Sequence, residues 1–94
     1  MRDEHFEWDD DKARANFAKH RVSFEEARAV FRDPHALLDL DDDPDEERDI
    51  TIGMGATGLL FVLSTERAQR TRIISARRAN RHEQDRYHRA AATR

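Results

Sequence analysis

A chain of 94 residues is long enough for one domain with one modest core and too short for two. Charged residues make up 39% and hydrophobic ones 37%, so the core must come from a few well-patterned segments; five Phe, one Trp and one Tyr, with clustered Leu, Ile and Val, argue against full disorder. The absence of cysteine excludes disulfides and thiolate metal sites and fits a reducing compartment, and the longest apolar run, residues 59–63, is too short to span a bilayer. The acidic start of the chain does not read as a signal peptide, so a cytoplasmic protein with no membrane partner is expected. The net charge of −3 is unevenly spread: residues 1–65 hold 17 acids and 8 Lys or Arg, and residues 66–94 hold 9 Arg and 3 acids. Fields act locally, so the basic last third attracts phosphates even though the total is negative.

In chain order, residues 5–8 (His-Phe-Glu-Trp) alternate polar and apolar, the pattern of a short strand. Asp9 offers an N-cap, with Asp10 and Asp11 in the first turn of a helix where the dipole favours acids. Ala13, Phe17 and His20 share one face of that helix, which ends near His20. Ser23 and Glu26 form a capping box, with Val22 as its hydrophobic staple. Phe24, Ala27, Val30 and Phe31 mark the buried stripe of a second helix, and Asp33-Pro34 stops it because the residue before proline resists the α region. The two helices form an αα-hairpin about Arg21 and Val22.

Residues 36–40 read as a short strand, and residues 41–47 as an exposed acidic loop. Ile50, Ile52 and Met54 alternate with Asp49, Thr51 and Gly53 in a half-buried strand, followed by turn chemistry at residues 55–58. Residues 59–66 are apolar on both faces at their start, as in a central strand. Residues 67–70 turn the chain into a further strand over residues 71–76. Asn80 and Glu83 repeat the capping-box pattern at the start of a last helix that runs to about Ala90, anchored by Tyr87. The expected class is α+β, with helices against an antiparallel meander of three to four strands.

Several motifs, in order, resemble the BrnT family. They are Phe6-Glu7-Trp8-Asp9, Lys12, Asn16, Lys19-His20, Val22 to Ala27, Val30-Phe31 and Asp33-Pro34 in the first half. Glu47-Arg48 and Ile50 to Gly53 follow in the middle, then Thr65-Glu66-Arg67, Arg72 to Arg77 and Arg81-His82-Glu83. The resemblance covers about residues 6–88. It implies a RelE-like fold, metal-independent endoribonuclease activity that inhibits translation, and a BrnA-like antitoxin encoded beside the toxin. That antitoxin would hold two or more toxin copies in a heteromeric complex and contact DNA through its own domain. Two features depart from the family pattern: the strongly acidic loop at residues 41–47, and a negative net charge where many RelE-like toxins are basic.

Cutting RNA without metal needs a base for the 2′-OH, cations for the phosphorane and an acid for the leaving 5′-oxygen. Arg77, at the end of a strand, and Arg67, beside Glu66, are the first candidates for the phosphate. Glu66 is the candidate base, or the group that orients Arg67. His20 and His82 are candidate acids because imidazole titrates near neutrality, and Lys19 and Arg81 are candidate substrate-binding cations. Arg72 alternates away from Ile73 and Ser75, which assigns it to solvent or to the antitoxin. The competing assignments are plain: each arginine a surface ion pair, His20 a C-terminal cap, His82 a packed side chain, Tyr87 core. No cofactor or metal is expected. Asp39, Asp41 and Asp43 have calcium-loop spacing, but Pro44 stands where that loop needs Gly and Ile50 where it needs Glu. His82 and His88 fall on different helix faces and make no zinc pair.

The residues leave a catalytically silent antitoxin-binding module as the alternative function, and an α+β interaction domain outside any toxin context as a third.

Overall fold

The computed structural model describes residues 1–93. β1 (Phe6–Glu7) leads into α1 (Asp10–His20), then α2 (Phe24–Ala27), which tightens into a 3₁₀ turn at Arg28–Arg32. β2 (Leu37–Leu40), β3 (Asp49–Gly55), β4 (Gly58–Arg67), β5 (Arg70–Arg78) and α3 (Arg81–Ala92) follow. The sheet order is β1-β5-β4-β3-β2. β2 to β5 form the antiparallel meander expected from the alternation, while β1 lies parallel to β5, so the sheet is mixed rather than wholly antiparallel.

The helix caps form as read. Asp9 accepts from the Lys12 N–H at 3.0 Å. Ser23 Oγ accepts from the Glu26 N–H at 3.0 Å while the Ser23 N–H donates to Glu26 Oε1 at 2.9 Å. Asn80 and Glu83 repeat the exchange at 2.9 and 2.8 Å. Two expectations are corrected. The second helix is α-helical for a single turn only; the 3₁₀ segment brings Val30 so close to β3 that a Cβ at Gly53 would stand 3.2 Å from the Val30 Cβ and carbonyl oxygen. On α1 the buried residue is Asn16, and Phe17 is 44% exposed. The Asn16 side-chain amide donates to the carbonyls of Ala76 (2.8 Å) and Val22 (3.0 Å) and accepts from the Ala76 N–H at 3.2 Å. Beyond the reach of the short β1, one carboxamide thus pairs both backbone groups of an edge residue that would otherwise be buried unsatisfied.

The main core lies between the sheet and the α1–α2 layer: Leu60, Val62, Ile73 and Ala76 meet Phe6, Trp8, Val22, Phe24, Ala27 and Val30. Trp8 and Phe24 pack edge to face with centroids 5.8 Å apart. A fully buried apolar side chain such as Phe24, Leu60 or Val62 contributes about 1.5–3 kcal/mol of transfer free energy. A smaller cluster on the opposite face sets Tyr87 of α3 against Ile52 and Ala79, with Leu37 and Phe61 partly buried around it. Asp33, beyond its role as helix stop, accepts from the Tyr87 hydroxyl at 2.7 Å and from the Met54 N–H at 2.8 Å, tying three elements together. Among the described residues no helix is long and apolar enough to cross a membrane.

Candidate functional site

One sheet face is sealed by α1 and α2. The other is covered by α3 over β3 and over the ends of β4 and β5 that carry Phe61 and Arg77, which leaves their opposite ends, at Thr65 to Arg67 and Arg70 to Arg72, half-exposed. Which side chains reach that open half is decided by a β-bulge. Leu63 pairs with Ser75 but Ser64 pairs with Ile73, so Ile74 is the extra residue. Strict alternation would put Arg72 and Arg77 on opposite faces. The bulge reverses the phase, so the partners of Arg72, Ser75 and Arg77 are Thr65, Leu63 and Phe61, alternate residues of β4 that share one face. The sequence expectation that Arg72 and Ser75 part company is therefore corrected. Their β4 partners, Phe61 and Thr65, are four positions apart, about 13 Å along the strand.

At one end of this row is a cleft of about 450 Å³ lined by Lys12, Glu46, Arg48, Thr65, Glu66, Arg67, Arg72 and Ile74. Arg72 is held by the buried Glu7 on the neighbouring β1, Nη1 to Oε2 2.7 Å. Arg48 binds Asp41 through two nitrogens and Asp43 at 3.1 Å, which folds the acidic loop back on itself. The Thr65 hydroxyl donates to the Glu47 carbonyl at 2.8 Å and fixes the loop to β4. Arg67 and Lys12 make no ion pair within 4.0 Å among the described residues, so their charges face the cleft uncompensated by a direct partner. Arg67 leads into a two-residue turn at Ala68 and Gln69, both in the left-handed region (φ 50° and 67°), where side chains with a Cβ are strained.

The other end is differently built. Arg77 gives a bidentate pair to Glu83 (2.8 and 2.9 Å), donates to the Arg78 carbonyl at 3.1 Å, and lies over the Phe61 ring with its guanidinium carbon 3.9 Å from the centroid. The hydrogen bonds from Arg77 hold the Glu83 carboxyl below its ordinary 4.5, outweighing the opposing effect of burial, and Glu83 in turn raises the Arg77 pKa. Since Glu83 also caps α3, this pair ties the helix start to β5.

Of the residues singled out from sequence, the structure brings Glu66 and Arg67 together in the cleft. Arg77 shares the sheet face of Arg67 but not of Glu66, which alternates to the other side, and stands at the far end beside Arg81 and His82 in the first turn of α3. Both of those are exposed, Arg81 paired with Asp85 at 3.4 Å, and His82 is not packed. Lys19 and His20 close α1, Lys19 exposed and His20 half-buried, and neither histidine lines the cleft. Lys12, Arg48, Thr65 and Arg72 were missed as site residues. Lys12 had a legible signal: Lys12, Asn16 and His20 are spaced i, i+4, i+8 along one helix face, and Asn16 anchors that face to β5. For Arg72 the bulge hid it. A separate acidic basin of about 520 Å³ adjoins the cleft across Glu46 and Glu66. Among the described residues no group of three or more His, Asp or Glu is placed to hold a metal ion.

Fold and site together define a small α+β domain with a half-open cleft in which Lys12, Arg48, Arg67 and Arg72 meet Glu46 and Glu66. The comparison with known families agrees in kind. The family model described as ribonuclease toxin, BrnT, of type II toxin–antitoxin system matches residues 8–83. The chain belongs to the BrnT family, the ribonuclease toxins of type II toxin–antitoxin systems. No curated protein matches it.

Proposed function

We propose that this chain is a metal-independent endoribonuclease that cuts RNA in the cleft between α1 and the ends of β4 and β5, and so inhibits translation. The observation that carries the reading is the convergence of Lys12, Arg67 and Arg72 with the exposed carboxylate of Glu66 around one cleft at the edge of the sheet, which Glu46 also lines. Glu66 accepts the proton of a ribose 2′-OH. The 2′-oxygen then bonds to the adjacent phosphorus, and the bond from phosphorus to the 5′-oxygen breaks. Lys12 delivers a proton to that oxygen, giving a 2′,3′-cyclic phosphate and a free 5′-OH. The guanidinium groups of Arg67 and Arg72 oppose the charge that grows on the phosphorane, the larger share of the rate gain. The 2′-OH requirement selects RNA over DNA. In this reading Arg77 positions α3 rather than gripping phosphate, and Lys19, His20, Arg81 and His82 lie outside the chemistry.

The wider setting follows the family: a RelE-like layout, a cytoplasmic toxin, and a BrnA-like antitoxin that holds two or more toxin copies and contacts DNA on their behalf. The test is incubation of the purified chain with RNA in EDTA. Cleavage is expected, with a cyclic phosphate product, no cutting of a strand carrying 2′-deoxyribose at the cleavage site, and a loss of about 10²-fold or more for Arg67→Ala. Absence of cleavage by the wild type would overturn it. A second reading, an antitoxin-binding module without catalysis, draws on one observation: Arg48, Arg72 and Arg77 are all already paired with acids. Harmless expression of a chain that still forms a tight heteromeric complex would favour it.

A further inference from the structure

The opposite edge of the sheet carries a surface that the cleft chemistry does not use. β2 is the last strand, with no neighbour beyond it among the described residues. The Asp41 N–H donates to the Arg48 carbonyl at 2.9 Å, so that pair is of the hydrogen-bonded kind. Antiparallel pairs alternate, so Asp39 and Leu37 also turn their backbone groups inward to β3, and Leu38 and Leu40 turn theirs outward. The same two residues are the most exposed large hydrophobics among the described residues, at 75% and 80%. Leu38 stands over a hollow of about 360 Å³ whose walls include Phe31, Pro34 and Thr51. Free N–H and C=O groups and apolar side chains therefore coincide on one short edge, the two elements of recognition by strand addition.

Charge selects the occupant. Residues 39–49 hold eight acids against one arginine, Arg48, and that arginine is bound to Asp41 and Asp43. Asp39 is paired with Arg86 of α3 at 3.0 Å; Asp42 and Asp49 have no ion pair within 4.0 Å among the described residues, and Asp49, the cross-strand partner of Leu40, adds its charge on the leucine face. A second copy of the chain added antiparallel at this edge would bring its own acidic strand and loop against these acids, and like charges placed opposite each other destabilise a ladder. We infer that the β2 edge is a docking site for an extended segment of a partner polypeptide in which apolar residues alternate with Lys or Arg. The segment adds a sixth strand through Leu38 and Leu40, its apolar side chains covering the two leucines and its cations, on the other face, joining the ion pairs of Asp39 with Arg86 and of Asp41 with Arg48. This surface stands apart from the RNA reading, and either can fail without the other.

The test uses the full chain, ¹⁵N-labelled, and a capped eight-residue peptide alternating Val and Lys. Two control peptides go beside it: one alternating Val and Glu, and one with the four Val and four Lys in separate blocks. Binding is expected from the alternating basic peptide, with amide exchange at Leu38 and Leu40 slowed tenfold or more. Affinity is expected to fall at least tenfold for either control. Leu38→Pro removes an outward N–H and no ladder bond, and is expected to lower affinity at least tenfold. The double variant Leu38→Lys, Leu40→Lys repels the peptide without touching the backbone and is expected to do the same, so the inference remains testable if the proline variant folds poorly. RNA cleavage by both folded variants should match that of the wild type. The inference is overturned if Leu38 and Leu40 gain no protection, if the block or acidic peptide binds equally well, if both variants bind like the wild type, or if sedimentation shows the chain dimerising through this edge.

Discussion

Arg72 and Arg77 stand on the same strand and the same sheet face, each beside a glutamate, yet their surroundings differ. Arg72 pairs with Glu7 through a single nitrogen and lines an open cleft with Lys12 and Arg67. Arg77 is gripped through both terminal nitrogens by a helix-capping glutamate and stacked on Phe61. An arginine with both terminal nitrogens bound to a helix-capping carboxylate has fewer donors for a phosphate than one held through a single nitrogen at the rim of a cleft. Residue type and position in the chain do not separate the two; the number of partners does.

The largest effect expected from breaking this contrast is on catalysis. Arg67→Ala, at the cleft end, is expected to lower RNA cleavage by about 10²-fold or more while leaving the thermal midpoint within about 3 °C of the wild type, as for a surface change. Parallel cleavage and melting measurements check it. At the other end Arg77→Ala should show the reverse weighting. It leaves the Glu83 carboxylate partly buried with its main partner gone, for a loss of about 2 kcal/mol, or a midpoint lower by roughly 10 °C in a domain of this size. Arg77→Lys should recover little of that, because an ammonium cannot reproduce the two parallel hydrogen bonds. If Arg77→Ala instead melted like the wild type and abolished cleavage, the roles assigned to the two ends would be exchanged.

The same pair predicts a pH dependence. The Glu83 carboxyl is held below its ordinary value by Arg77, so the folded chain binds that proton less readily than the unfolded one. Its contribution is therefore present above the ordinary carboxylate value of 4.5 and is lost as the pH falls through the lowered native value. Denaturant midpoints measured from neutrality into acid should fall more for the wild type than for Glu83→Gln, which has no such proton to take up. The smallest effect concerns the turn beside the cleft. Replacing Ala68-Gln69 with Asn-Gly fits the left-handed conformation and should raise stability by about 1 kcal/mol. Unchanged cleavage in that variant would show that Arg67 is positioned by β4 itself and not by turn strain.

Much of the architecture was legible from local rules. Asp9, Ser23 and Asn80 announced three helix starts, because a cap is a contact between residues three apart and needs no tertiary information. The alternation over residues 49–54 and the apolar run from residue 59 located β3 and β4. The errors fall where a distant partner decides. The spacing of Ala13, Phe17 and His20 marks one face of α1 as the packed one, but α1 docks on β5 through Asn16, whose amide answers the backbone of Ala76 sixty residues away. The parallel pairing of β1 with β5 joins segments some 65 residues apart, and no local pattern carries that register. In the candidate site Glu66 and Arg67 are singled out by their place at a strand end, and both line the cleft. Arg72 was assigned away from the site by an alternation that the bulge at Ile74 breaks.

The amino-acid sequence determined the caps, the strand and helix periods, the acidic loop and the order of motifs that marks the family, since each depends on side-chain chemistry within a few residues. Only the tertiary structure decided which cations share a cleft and which are consumed in bracing. That depends on one inserted residue in a ladder and on where α3 comes to rest, and both are settled by packing between parts of the chain that are far apart in sequence.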